Sequence, residues 1–282
     1  MKATASPRDA RAFARLTPSV ALSLTVSALL FLANGLAFGQ EGKLPKGDEI
    51  LDQYVKATGG KDAYQKVSNR VTRGRLEMPA QGIKGTIESY EARPNLSYSV
   101  LEIAGMMRQE RATDGKVAWE RQSMTGIRFL EGKELEQFMR EAVFDSDVHW
   151  RKLYQKAETI GVEDIDGKPA YKVELTIKDD KKMTAYYDTK SNLLVKSVMT
   201  VKAPMGEMLV ETYISDYRKV GDLLIPHKQR QAVMGMEQVL TFDSIEVNVK
   251  LDKNRFALPD DVKQLLKQRE QPKKAEQKDA TP

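Results

Sequence analysis

Two periodicities divide this chain. From Asp48 on, apolar residues recur at spacings of three and four (Ile50, Leu51, Tyr54, Val55), the pattern of a helix that buries one face. Asp48 is placed to cap its start, and Gly59 and Gly60 to end it. A second helical turn is expected over residues 61–67. After Asn69 the period drops to two, and segments 70–78, 83–92, 96–103, 106–113 and 116–122 read as strands. Turn residues separate them: Pro79 to Gly82, Arg93-Pro94-Asn95, Ala104-Gly105 and Asp114-Gly115.

A helical pattern returns between Gly132 and Tyr154. Leu135, Phe138, Met139, Ala142 and Val143 share one side, with Glu134, Glu136, Arg140 and Glu141 on the other. That apolar side needs a partner, and the open face of the sheet supplies one. Strands then resume over 158–165, 169–178, 183–188, 193–202, 207–217, 223–233 and 236–248. Residues 169–178 alternate most cleanly, Tyr171, Val173, Leu175 and Ile177 against Lys172, Glu174, Thr176 and Lys178. Short links make neighbouring strands antiparallel. The pattern predicts a mainly β domain over residues 40–260, a curved antiparallel half-barrel of about eleven strands covered by a few helices. Asn254 to Pro259 is expected to be an extended tie-down with Phe256 buried, and residues 261–282 a disordered charged tail.

The N-terminus adds a compartment. Lys2, Arg8, Arg11 and Arg15 precede an apolar run from Val20 to Ala33, and Ala37-Phe38-Gly39 offers small residues for cleavage before Gln40. Residues 1–39 are thus expected to be a signal peptide, and the location periplasmic. The alternative is an uncleaved anchor, since Ser19 to Phe38 is about long enough to span a bilayer. The chain has 45 basic and 40 acidic side chains, yet residues 40–260 carry equal numbers of each. No basic run marks a nucleic-acid footprint, so no nucleic-acid partner is expected.

Candidate chemistry is sparse. Cysteine is absent, which removes disulfides, thiolate metal sites and lipid attachment through a lipobox. His149 and His227 are the two histidines, and neither has the spacing of a metal ligand or of a base beside a nucleophile. The pairs Asp145/Asp147 and Asp164/Asp166 sit where turns and helices begin, which assigns them to capping. No catalytic residue, metal or cofactor is expected. Methionine says more: Met106, Met107, Met124, Met205, Met208, Met234 and Met236 fall at hairpin tips and strand ends, where flexible thioethers suit varied apolar ligands or fill gaps beneath turns. A half-closed sheet of this size leaves a cavity unless helices plug it. Strand parity aims Trp119, Val173, Leu175, Tyr187, Val195, Met208, Val210 and Leu240 at that cavity as a ligand-binding set, with ordinary core beneath the helices as the alternative.

The order of these features resembles the LolA/LolB-like superfamily, and more narrowly its outer-membrane lipoprotein-sorting proteins. The residues that carry the resemblance are Thr58-Gly59-Gly60, Asp114 to Trp119, Tyr186 to Val195, and Asp216 to Pro226, with Asn248 ahead of Phe256 and Pro259. It implies a half-barrel closed by helices around an apolar cavity for acyl chains. The expected function is therefore a carrier or binding protein for lipid or lipoprotein acyl chains. Its expected partners are lipid or acylated lipoprotein, together with envelope or membrane transport proteins, and no catalysis is involved. The rival expectations are an envelope scaffold with a filled core and an extracytoplasmic hydrolase built on Asp145 or Asp164.

Overall fold

The computed structural model describes residues 43–177, 181–203 and 206–278. The leader expected over residues 1–39 lies outside them. Thirteen strands form one antiparallel sheet. The first arm holds β1 (Asn69–Met78), β2 (Ile83–Ala92), β3 (Leu96–Ile103), β4 (Met107–Thr113), β5 (Ala118–Gln122) and β6 (Gly126–Phe129). The second holds β7 (Tyr154–Ile165), β8 (Lys168–Ile177), β9 (Lys182–Asp188), β10 (Leu194–Ala203), β11 (Gly206–Val220), β12 (Leu223–Val233) and β13 (Met236–Val247). Each arm is a meander, and β1 pairing with β13 joins them, so β6 and β7 are the two edges. The mainly β class predicted above holds. The count exceeds eleven in part because β6 is too short to show alternation.

The link between the arms sets the curvature. Twelve inter-strand steps of about 4.8 Å put β6 and β7 about 58 Å apart in a flat sheet. That link contains α3 (Gly132–Glu141), a 3-10 turn (Ser146–His149) and α4 (Trp150–Leu153). Laid end to end, these turns and their extended joints reach about 50 Å at most. The sheet must therefore curl toward the link, which crosses its concave face as a strap. Phe138 lies over Ala118 of β5, Phe144 over Arg70 of β1, and Trp150 packs with Val173, Leu175 and Ala185 of β8 and β9. The sequence pattern had run as one helix from Gly132 to Tyr154. It breaks because the Phe144 amide donates to the Pro94 carbonyl and Asp145 is held by Arg93.

Two further helices lie on the same face. α1 (Gly47–Ala57) buries Ile50, Leu51, Tyr54 and Val55, the predicted stripe. Its start is capped by Glu49, whose carboxylate accepts the Lys46 amide at 3.1 Å, so Asp48 lies within the first turn rather than at the cap. Gly47 lets the helix touch β7, because a Cβ there would stand 2.5 Å from the Ala157 backbone. Gly59, at φ 129°, turns the chain where a Cβ would meet the Asp222 carbonyl at 2.7 Å. The chain enters α2 (Gly60–Gln65) directly, and Ala63 and Val67 pack on Leu223 with Val247 beside it.

The convex face is covered by the chain's end. After β13 the chain runs to α5 (Asp260–Lys278), and Val262 is fully buried against Trp119 and Ala112. Residues 261–278, read from composition as a disordered tail, are thus helical. The apolar signal, Val262 with Leu265 and Leu266, spans little more than one turn, and ion pairs from Arg121 to Asp261 and from Arg269 to Glu131 add to it.

Arg93 clasps the strap. Its guanidinium donates to Asp145 at 2.5 Å and to the carbonyls of Val67 and Tyr64, each at 2.7 Å. Asp145 is buried, whereas a third of the Arg93 side chain stays exposed. Arg93→Ala takes the guanidinium from that carboxylate and from the Val67 carbonyl, leaves the Tyr64 carbonyl only the Val67 amide, and should lower stability by about 2 kcal/mol, less than a fully buried pair would lose. Urea unfolding at unchanged slope reads this directly. An unshifted midpoint would show that the strap is held elsewhere.

Candidate functional site

Directly paired residues point to the same face of a sheet, so register traces each face from strand to strand. On the concave face one ladder runs Val233, Val210, Met199, Met183, Leu175, Ala157, from β12 to β7. A second runs Gly85, Leu76, Leu240, Gln229, Ile214 from β2 to β11. Burial changes along the first ladder. Under α1, Val173 and Leu175 are fully buried, and the Tyr54 ring packs on that of Tyr187, centroids 5.5 Å apart and planes tilted by 59°. Farther along, Met183, Met199, Met208, Val210, Val233 and Leu240 are only half-buried. One part of the concave face is filled core, and the other is an apolar trough. A polar seam crosses the trough floor, where Gln238 donates to Gln231 at 3.2 Å and Gln231 to Thr212 at 3.4 Å.

The two ends of the sheet differ as well. The hairpins β1–β2, β3–β4, β5–β6 and β12–β13 all turn at one end, since successive strands reverse direction. Met106, Met124, Met234 and Met236 are exposed there. Among the described residues, every methionine except Met139 lies in this half of the sheet. At the other end the turns are polar, with Asp114-Gly115, Asp166-Gly167 and Gly221-Asp222, and α2 packs there against Leu223. The trough is apolar toward one end and plugged toward the other.

A polar crevice borders the plug. The Tyr64 hydroxyl lies 2.9 Å from Thr58 Oγ1 and 3.4 Å from Asp147 Oδ2. Asp147 is exposed to water although protein crowds around it. That crowding pushes its carboxyl above the ordinary value, opposed by Arg70 and by the Tyr64 and Tyr54 hydroxyls. Burial lifts the Tyr154 hydroxyl to about 12, with Asp147 adding to the effect, and lifts those of Tyr64 and Tyr217 as well. These tyrosines keep their protons at physiological pH; the Tyr64 hydroxyl donates to Thr58 and that of Tyr217 to the Leu194 carbonyl at 2.8 Å.

The carboxylates of the hydrolase reading are otherwise occupied. Asp145 is bound to Arg93, with His149 Nε2 at 3.5 Å from the same oxygen. Asp164 accepts the Gly167 amide at 2.8 Å and closes a turn. His227 is buried, with Nδ1 2.9 Å from the Ile225 carbonyl. Among the described residues, no group of three His, Asp or Glu side chains is placed to hold a metal ion.

The eight residues aimed at a cavity by parity do not meet in one place. Met208, Val210 and Leu240 line the trough, and Val173, Leu175 and Tyr187 lie in the filled core under α1. Trp119 and Val195 are on the convex face. Trp119 pairs with Ala112 under Val262, while its neighbour Ala118 faces the strap. Val195 sits beside the register shift between Leu194 and Lys196, which reverses its side, and packs against the Ile165, Ala170 and Tyr186 cluster. Parity misses Met183 and Met199 only for want of the register, whereas Arg70, Asp147, Tyr64 and Tyr217 converge from separate segments with no local signal.

Comparison with known proteins gives the same architecture. Neither a protein-family model nor a curated protein matches the sequence. Among solved structures, a DUF1329 family protein from Desulfovibrio piger aligns over 76% of this chain and 98% of its own, at 12% identity and a TM-score of 0.54. A LolA superfamily protein from Nitrosomonas europaea aligns over 76% of this chain and 99% of its own, at 16% identity and a TM-score of 0.51. The fold is LolA-like. At these identities the likeness extends to the fold alone, and the LolA-like sheet is the frame within which the trough is read.

Two measurements test this division. Leu175→Ala should cost about 3 kcal/mol, as for a fully packed leucine, whereas Leu240→Ala, in the half-open trough, should cost under about 1 kcal/mol. Equal losses would mean that the trough is packed core. Asp147→Asn should stabilise the protein at pH 7. The raised carboxyl makes the charged form costly in the fold, so the gain should vanish as pH falls through the raised value toward the unfolded one. A gain that persists at low pH would contradict this sign.

Proposed function

We propose that the protein is a periplasmic carrier or binding protein for lipid or lipoprotein acyl chains, acting by binding alone. The observation that carries this reading is the half-buried apolar ladder Val233, Val210, Met199, Met183, which leaves apolar surface open beside a filled and plugged core. Burying an acyl chain is worth about 0.8 kcal/mol per CH₂, so a trough of this kind binds through length without specific polar contacts. Methionine side chains adapt to chains of different shape. The exposed methionines at the open end would meet the donor surface, and the Gln238–Gln231–Thr212 seam and the crevice hydroxyls would receive the ester or amide end. The LolA-like fold supports the same reading, as does the leader-like sequence of residues 1–39. Envelope proteins that hand over or accept the acylated cargo are the natural partners.

Native mass spectrometry of the protein secreted into a bacterial periplasm and purified without detergent tests this. The expected result is an adduct of lipid or acyl mass that disappears in Val210→Asp and Leu240→Asp variants that still fold. A clean apo mass, with no uptake of added phospholipid or acylated peptide, would reject it in favour of the scaffold.

A further inference from the structure

The convex face holds a feature that lipid carriage in the trough does not use. Asn248, at φ 57°, reverses the chain after β13 and is held by Ser68 and Lys66. The segment that follows lays Arg255 on an aromatic floor, its guanidinium carbon 4.1 Å above the Tyr90 ring and 5.8 Å from Tyr98. Arg255 Nε is buried and has no hydrogen-bond partner. Among the described residues the guanidinium has no ion pair either, and its neighbours on the same face differ. Arg73 holds Glu88 and Glu246, Arg75 holds Asp243, and Arg121 holds Glu110 and Asp261.

Two pockets, of about 600 and 310 Å³, meet at Arg255. The larger is lined by Arg255, Asp252 and Asn254 together with Tyr98, Phe256 and Leu258, so a cation shares a mixed recess with apolar side chains. Its volume is that of an ordinary small-molecule site. Arg255 lines both pockets, and a carboxylate or phosphate there would accept bidentately from its terminal guanidinium nitrogens. Asp252 lines the rim, and the Lys263–Asp260 pair at 2.9 Å adds no net charge. Lys250, which lines the smaller pocket, is another cation with no ion pair among the described residues, and Asp252 lines both pockets, so the charge suits one anionic group and disfavours a polyanion.

We propose that this pocket binds a small amphiphile, its one carboxylate or phosphate on Arg255 and its apolar body along Phe256 and Leu258, next to the buried Trp119. The site is separate from the trough and stands whether or not the trough carries lipid. Trp119 reports it directly once Trp150, the other tryptophan, is replaced by Phe. Decanoate, decyl phosphate and decanol are titrated against the emission of that protein. At least one anion should give a saturable change, at least tenfold tighter than decanol, and the tighter anion tells a fatty-acid source from a phosphate one. Arg255→Gln should weaken that anion tenfold or more, Arg255→Lys less, and Leu240→Asp not at all. Decanol binding as tightly as the anions, no binding by either anion, or full affinity in a folded Arg255→Gln protein would each overturn the proposal. The comparison of anion with alcohol needs no variant at Arg255, so a misfolded variant does not spare it.

Discussion

A strap too short for a flat sheet governs this molecule. The chain leaves the sheet at β6 and re-enters at the opposite edge, β7, so the crossing must be closed by curling thirteen strands toward it. Curvature gives the two faces different fates. The concave face gathers α1, α2 and the strap, and the convex face is left for the C-terminal segment and α5. The clasp by Arg93 fixes the strap midway across its span, which is why one arginine bonded to Asp145 and two carbonyls matters more than the many surface ion pairs.

Once curved, the sheet has more concave surface than its short helices can cover. Tyr54 and Val55 of α1 and Trp150 of the strap pack with Val173, Leu175 and Tyr187, all of them buried. Past Met183 the same ladder is half-open. A fully apolar and fully packed face would have been more stable. Keeping apolar side chains beside water costs stability, and a protein retains such a surface when something else comes to cover it. At the plugged end, Tyr64 of α2 meets Asp147 of the strap, so a crowded carboxylate stands beside the plug.

Much of the fold was legible in the sequence because hairpins are local. Alternation marked strands such as 169–178, Asp-Gly pairs marked the turns, and the spacing of Ile50, Leu51, Tyr54 and Val55 marked α1. What escaped lacks a local signature. Ala118 and Trp119 are both buried, one on each face, so alternation there carries no direction. A register shift beside Val195 reverses parity within a strand whose sequence looks regular. α5 shows barely more than one apolar turn and is fixed by contacts with distant residues. The division of the concave face into filled and open parts depends on where α1 lands, which is tertiary. Hence Leu175 and Leu240 read alike in sequence and differ in the structure.

Photo-crosslinking tests the central claim, that the open part of the concave face receives acyl chains, most directly. A fatty acid with a diazirine on its chain would be loaded, irradiated and mapped by peptide mass spectrometry. The account predicts labels on Met183, Met199, Met208, Val210 and Leu240, and none on Val173 or Leu175 under α1. Labels absent from the trough, or found only around Trp119 on the convex face, would contradict it.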